Sequence, residues 1–224
     1  MQSFLSSYIE RDLMLLFDVR FSPPLVRKLW TMLAHQQGSL LNAENLGNAL
    51  DVTGTTLKRY LDFLEGAFML YRLQPYYANI GKRLVKSPKI YIRDSGIVHA
   101  LLNIRHEKEL LNHPVVGHSW EGYVISQIRY IAPEEIQLYF YRTQAGAEID
   151  LVLVKANIVI ALIEIKYSTS PAISRGFYQS ILDLNSPKAF VICLSERMYK
   201  NSQNVTILGL QPFIQYHLSE WFKN

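Results

Sequence analysis

The segment Ile158-Val159-Ile160-Ala161-Leu162-Ile163-Glu164-Ile165-Lys166 constrains this chain more than any other. Successive side chains of a strand point to opposite faces. Alternation therefore puts Ile160, Leu162, Glu164 and Lys166 on one face, and Val159, Ala161, Ile163 and Ile165 on the other. Both faces are apolar until the end, so the strand has to be covered on both sides. The natural packing is a central sheet flanked by helices. The surrounding pattern agrees. A helix is expected over about 119–131, with Trp120, Val124 and Ile128 at i, i+4 and i+8, ended by Pro133. Strands are expected at 137–142, 148–154, 189–194 and 205–208, and further helices at 172–184 and 212–222. The fold class is mixed α/β.

The first half follows a different rhythm. Leu13, Leu16, Phe17 and Arg20 form a helical stripe that ends near Pro23-Pro24. A second helix runs from about Leu25 to His35, with Leu25, Leu29, Met32 and Leu33 on one face. A third starts at Asn42 or Ala43. After the turn Asp51–Gly54 comes a fourth, with Thr55 and Thr56 as caps and Leu57, Tyr60, Leu61 and Leu64 inward. Strands follow at 68–73 and 89–93, separated by a Gly81-Lys82-Arg83 turn. That order is the layout of a winged helix-turn-helix. It implies three parts: a linker helix at 1–24, a winged helix-turn-helix with its connector at 25–112, and an α/β domain at 113–224.

Charge sharpens the first half. Of the 224 residues, 49% are hydrophobic and 19% charged, which excludes a disordered or fibrous chain. The net charge is +4, and residues 58–93 carry eight basic side chains against Asp62 and Glu65. A basic stretch of that kind suits a polyanion, and DNA is the expected partner. Thr55, Thr56, Lys58 and Arg59 would face the nucleic acid from the fourth helix. Lys82 and Arg83 would form the wing tip, with Lys86 beside them. The bland alternatives are a solvated basic face and an adaptor that binds protein. No apolar run approaches the roughly 18 residues needed to span a bilayer. The single cysteine, Cys193, excludes a disulfide framework and a multi-cysteine zinc site, and its apolar strand marks it as an inert core thiol. The expected compartment is the cytoplasm. His113 and His118 read as loop residues. Nothing in the sequence fixes an oligomeric state.

Glu164 and Lys166 break the apolar strand on one side, roughly 6.6 Å apart. On the preceding strand, Asp150 shares a face with Glu148 and Val152. With a hairpin through Lys155–Asn157 and Val154 opposite Ile158, Asp150 lies opposite Leu162 and diagonal to Glu164. A slip of two residues puts it directly opposite Glu164, and a slip of one throws the two carboxylates to opposite faces. Two carboxylates this close repel unless a cation lies between them, and a hard divalent ion, Mg²⁺ or Mn²⁺, suits oxygen ligands. Lys166 can then orient a water or balance charge on a phosphate. Glu121, beside the Trp120/Val124 stripe, is the candidate third carboxylate. The bland reading of the set is a surface salt bridge.

Asp150 and Glu164-Ile165-Lys166, with Glu121 on a preceding helix, resemble the PD-(D/E)XK nuclease superfamily, which has the restriction-endonuclease-like fold. The resemblance implies that Glu121, Asp150 and Glu164 bind Mg²⁺ and that Lys166 assists the attacking water. It also implies an accessory polar role for Gln179. The Pro that often precedes the Asp is absent, since Glu148-Ile149 stands there. More widely, YIERDL (8–13), LLNAENLGNALDVTGTTLKRYLDFLE (40–65), GKRLVKSPKIYIRDSG (81–96), HPVVGHSWEGYVISQI (113–128), FYRTQAGAEIDLVL (140–153) and IEIKYS (163–168) together resemble the C-terminal region of a prokaryotic AAA+-type ATPase family. That region is classed as a domain of unknown function. It implies an ATPase domain upstream, with YIERDL as the tail of its linker. This chain has no phosphate-binding loop of the G-x-x-x-x-G-K-[ST] type, because Tyr76 stands where the glycine before Gly81-Lys82 would be. The sequence thus leaves three functions open: a Mg²⁺-dependent DNA endonuclease, a non-catalytic DNA-binding or regulatory module of an ATPase, and a protein-interaction adaptor.

Overall fold

The computed structural model describes Tyr8, residues 22–77 and residues 81–222. The stripe expected at 13–21, and with it most of the linker helix, lies outside the described residues. The chain forms two compact units. One takes in Arg72 and the chain before it together with Pro88–Gly122; the other takes in Leu73–Ser87 and the chain from Tyr123 onward. The sequence reading puts the boundary at 112/113, whereas the contacts change hands at 122/123.

In the first unit, α1 (Pro23–His35), α2 (Ala43–Leu50) and α3 (Gly54–Gly66) precede β1 (Leu70–Leu73) and β2 (Lys89–Ile92). The helices α4 (Ser95–Leu101) and α5 (Glu107–Leu111) follow, then the start of α6 (Val116–Ile131). Local chemistry sets these boundaries. A proline opens α1, where its missing N–H costs nothing. The Asn42 side chain accepts from Asn45 N at 3.0 Å and opens α2; Asp51 closes it in the left-handed conformation. Thr53 caps α3, accepting from Thr56 N at 3.2 Å, so neither Thr55 nor Thr56 is the cap. The core of this unit is Leu29, Trp30, Leu33, Leu46, Leu57, Leu61, Leu64, Ile90, Ile92 and Val98. Leu25 and Met32 pack only partly, because Val26 and Trp30 turn inward instead.

In the second unit, β3 (Ile136–Arg142), β4 (Glu148–Lys155), β5 (Ile158–Ile165), β6 (Ala189–Cys193), β7 (Tyr199–Lys200) and β8 (Thr206–Gly209) form one sheet in the order β3-β4-β5-β6-β8-β7. The pairs β3/β4, β4/β5 and β7/β8 are antiparallel, while β5/β6 and β6/β8 are parallel. The helix α7 (Arg175–Leu184) makes the β5-to-β6 crossover, and its Phe177 and Leu184 pack with Val152, Val154, Leu162 and Val191. A closing helical run at 210–222 brings Phe213 against Phe190. Phe190 pairs with Ile163 and so belongs to the opposite face from Leu162. The strand 158–165 is therefore covered on both sides, as its sequence requires. Cys193 is buried.

Among the described residues between β1 and β2, 74–77 and 81–88, several pair along a strand edge and do not stand free as a wing tip. Tyr76 N donates to Phe140 O at 2.7 Å, Val85 N to Arg142 O at 3.0 Å, and Gln144 N to Arg83 O at 2.9 Å. Leu84 bridges Thr143, and Pro75 bridges Phe140. This segment satisfies main-chain groups along the outer edge of β3, which would otherwise be an open edge strand.

Candidate functional site

The β4–β5 hairpin decides whether Asp150 and Glu164 meet. Its turn is the two residues Ala156-Asn157, both at positive φ (49° and 63°), the geometry that matches strand twist. This turn pairs Lys155 with Ile158 and Val154 with Val159. Continued unchanged, that register would set Asp150 opposite Ile163 and turn Glu164 to the other face. A bulge intervenes. Leu153 pairs with Ala161, so Ile160 is the extra residue on β5, and Val152 then pairs with Leu162 and Leu151 with Ile163. The ladder now leads Asp150 to Glu164. The result is the slip of two residues that sets the carboxylates on one face, reached in two single steps.

Both carboxylates are buried, Asp150 at 8% and Glu164 at 5% exposure. Asp150 Oδ2 accepts from Ile165 N at 2.9 Å, which ties it to the end of β5. Lys166 Nζ lies 2.6 Å from Glu164 Oε1, and its backbone N donates to Ile192 O on β6. The structure thus brings together Asp150, Glu164 and Lys166.

Glu121 sits in the first unit with partners of its own. Lys89 Nζ donates to its Oε1 at 3.1 Å, the Tyr91 hydroxyl donates to the same oxygen, and His118 Nδ1 is 3.4 Å from Oε2. Burial pushes the Glu121 pKa up, but the Lys89 ammonium and the hydrogen bonds from His118 and Tyr91 overcome it and hold the carboxyl well below the usual carboxylate range. Gly38, at φ 72°, makes room for the cluster, since a Cβ there would stand 2.8 Å from His118 Nδ1. His118 is thus on the first turn of α6, not in a loop, while His113 precedes the helix. Among the described residues, no group of three or more His, Cys, Asp or Glu side chains is arranged to hold a metal ion. Asp150 and Glu164 alone fit a hard divalent cation that keeps several waters and takes one or two carboxylates. Glu121 is engaged within the first unit by Lys89, Tyr91 and His118.

The residues assigned to DNA divide between the units. Thr55, Lys58 and Arg59 are exposed on α3, and Thr56 is half-buried with its hydroxyl 3.0 Å from that of Thr53. Lys82, Arg83 and Lys86 are exposed in the second unit. Lys82 Nζ lies 2.5 Å from Asp183 Oδ1, a carboxylate that also accepts from Tyr141 and Gln179. Burial pushes the Asp183 pKa up, but these partners, Lys82 foremost, draw it down. Gln179 is therefore a partner of Asp183 at i, i+4 on α7. The pairs Lys89/Tyr91 and Gln179/Asp183 carry a readable signal that the sequence reading passed over: polar side chains at i, i+2 on a buried strand and at i, i+4 on a helix.

Residues 1–108 match a family model described as a domain of unknown function, DUF8612. Residues 116–213 match a second, also a domain of unknown function, DUF4143. The chain is 40% identical over 203 residues to an uncharacterized protein of Mycobacterium tuberculosis and, equally, to one of Mycobacterium bovis. Each alignment covers 90% of this chain and 45% of the relative, so the chain spans less than half the length of these curated relatives. No helix among the described residues is long and apolar enough to cross a membrane.

Proposed function

We propose that this chain is the C-terminal part of a prokaryotic AAA+-type ATPase and a Mg²⁺- or Mn²⁺-dependent DNA endonuclease of the cytoplasm. In this reading a winged-helix part binds duplex DNA and a restriction-endonuclease-like domain cleaves it. One observation carries the reading. A bulge at Ile160 restores the register that turns two buried carboxylates, Asp150 and Glu164, to one face beside Lys166. Burying two like charges together is costly in a core that does not use them. The two-unit organisation and the extra length of the mycobacterial relatives, room enough for an ATPase domain, support the wider assignment.

In this mechanism Asp150 and Glu164 hold the divalent cation. When bound, such a cation supplies Lewis acidity and charge neutralisation at a phosphodiester. Lys166 leaves Glu164 to face the attacking water or the phosphate, giving a positive charge where negative charge develops. Thr55, Thr56, Lys58 and Arg59 hold the duplex from α3. Hydrolysis of a phosphodiester demands on the order of 20 kcal/mol of barrier lowering, which is why the carboxylate pair and the lysine are both needed. Asp150→Ala and Lys166→Ala should each abolish cleavage of duplex DNA in Mg²⁺ or Mn²⁺ while leaving DNA binding near wild type. Cleavage retained in both variants overturns the assignment.

A second reading, a non-catalytic DNA-binding or regulatory module, draws on a different observation. Lys166 is closed onto Glu164, and Glu121 is neutralised by Lys89. In that case wild type binds DNA in a salt-sensitive way and cleaves none with any metal.

A further inference from the structure

The rim of the Asp150/Glu164 site carries two arginines that the sequence reading either placed elsewhere or left out. The turn 143–147 leads into β4, whose third residue is Asp150. Arg83 borders this turn on one side, since its carbonyl accepts from Gln144 N at 2.9 Å and Leu84 bridges Thr143. Arg175, the first residue of α7, borders it on the other. Its neighbour Gly176 is packed so close that a Cβ there would stand 2.7 Å from Gly146 O. The end of β3, the start of β4, the end of β5 and the start of α7 thus meet at one end of the sheet. This is also the carboxyl end of the parallel pair β5/β6, where open α/β sheets place their ligands.

Arg83 and Arg175 are exposed, and among the described residues neither side chain makes an ion pair or hydrogen bond. Their neighbours differ. Lys82 is held by Asp183, and Arg142 pairs with Glu148 at 3.6 Å. The first turn of α7 contains no acidic residue, so its dipole adds to the positive field at Arg175. Two arginines without a partner among the described residues therefore border the turn that leads to the buried carboxylate pair. Arginine forks recognise phosphate oxygens in bidentate fashion.

We propose that Arg83 and Arg175 hold the phosphates on either side of the phosphodiester presented to Asp150, Glu164 and Lys166. They make the second unit a DNA-binding surface in its own right, and this rests on the reading of the chain as a DNA-cleaving protein. Arg83 acts on the cleavage site and not as the tip of a wing.

The test is the affinity of the full chain for a duplex, measured by fluorescence anisotropy over a salt series without divalent ions, followed by cleavage in Mg²⁺ or Mn²⁺. The Arg83→Ala/Arg175→Ala variant should lose about tenfold or more in affinity and flatten the log K against log[salt] slope by about 2. Arg83→Lys/Arg175→Lys should restore the slope but not the cleavage rate, because lysine keeps the charge without the fork. Both variants change only exposed side chains, and far-ultraviolet circular dichroism confirms the fold. If the double alanine variant binds and cleaves like wild type while Asp150→Ala is dead, the arginine assignment is overturned and the nuclease reading stands. If wild type cleaves nothing but its salt slope depends on these arginines, the nuclease reading falls and the phosphate-holding role stands. Wild type that binds no duplex at low salt overturns both.

Discussion

Two buried carboxylate sites, one in each unit, show what a fold does with negative charge it has removed from water. Glu121 has a buried lysine at 3.1 Å, a tyrosine hydroxyl and a histidine, and Lys89 itself is 4% exposed. The Glu121–Lys89 pair is formally neutral, and it fastens α6 to β2. Asp150 and Glu164 converge with Lys166 in a set whose formal charge is negative, and Lys166 is much more exposed than either carboxylate. The first site is closed and balanced by fixed side chains. The second is built from strand ends, with the half-exposed Lys166 beside it. Similar burial thus goes with a buried counter-charge in one unit and a solvent-reaching one in the other.

The largest effect that would test this contrast is on stability. Glu121→Ala strands the Lys89 ammonium in the core, and breaking a buried pair from one side costs about 3–5 kcal/mol. Urea unfolding followed by amide exchange in residues 88–122 should show that loss, whereas Asp150→Asn should cost far less or even stabilise. A comparable loss in both variants would erase the distinction. Acid sharpens it further. The folded Glu121 carboxyl titrates below its usual 4.5, so it is harder to protonate folded than unfolded. Its contribution is complete above that value and drains away as pH falls below it toward the folded value. Glu121→Gln should remove this acid-dependent loss from the first unit. An unchanged acid profile in that variant would assign the loss to other groups.

How legible was this in the sequence? The doubly apolar strand 158–166 fixed its own central position, because no other placement covers both faces. The α/β order of the second half followed from the same logic. The bulge was invisible. Ile160 is an ordinary β-branched residue in an unbroken alternation, and only the two-residue turn at Ala156-Asn157 creates the need for it. The described part of the segment 74–87 misled for a related reason. Its basic composition fits a wing, but what places it is the unpaired edge of β3, far away in sequence. The partners of Glu121 were hidden because helix position alone does not reveal a partner. The signal was on β2, where a lysine stands in a strand buried along its whole length.

Inserting one alanine between Ile163 and Glu164 turns the register argument into an experiment. Leu151 still pairs with Ile163, but Asp150 then falls opposite the inserted residue, with Glu164 on the far face. Calorimetric titration with Mn²⁺ should detect binding in wild type and none in the insertion variant. The Glu121 cluster lies in the other unit, so amide protection in residues 88–122 should stay as it was. Mn²⁺ binding that survives the insertion would show that the two carboxylates do not act together.

The smallest effect concerns the start of α3, where capping and DNA contact were first ascribed to the same threonines. Thr53 accepts from Thr56 N at 3.2 Å, and so it satisfies an otherwise orphaned helix donor. Thr53→Ala should cost about 1 kcal/mol of stability. Thr55 is exposed and does not cap, so Thr55→Ala should leave stability within about 0.5 kcal/mol. In the proposed reading DNA affinity should show the reverse order, since the Thr55 hydroxyl is left to face the duplex while that of Thr53 is taken up by the cap. A stability loss at Thr55 equal to that at Thr53 would mean that the helix begins two residues later than the geometry assigns. Thr55 would then be a structural residue, and the proposed DNA-facing set on α3 would lose it.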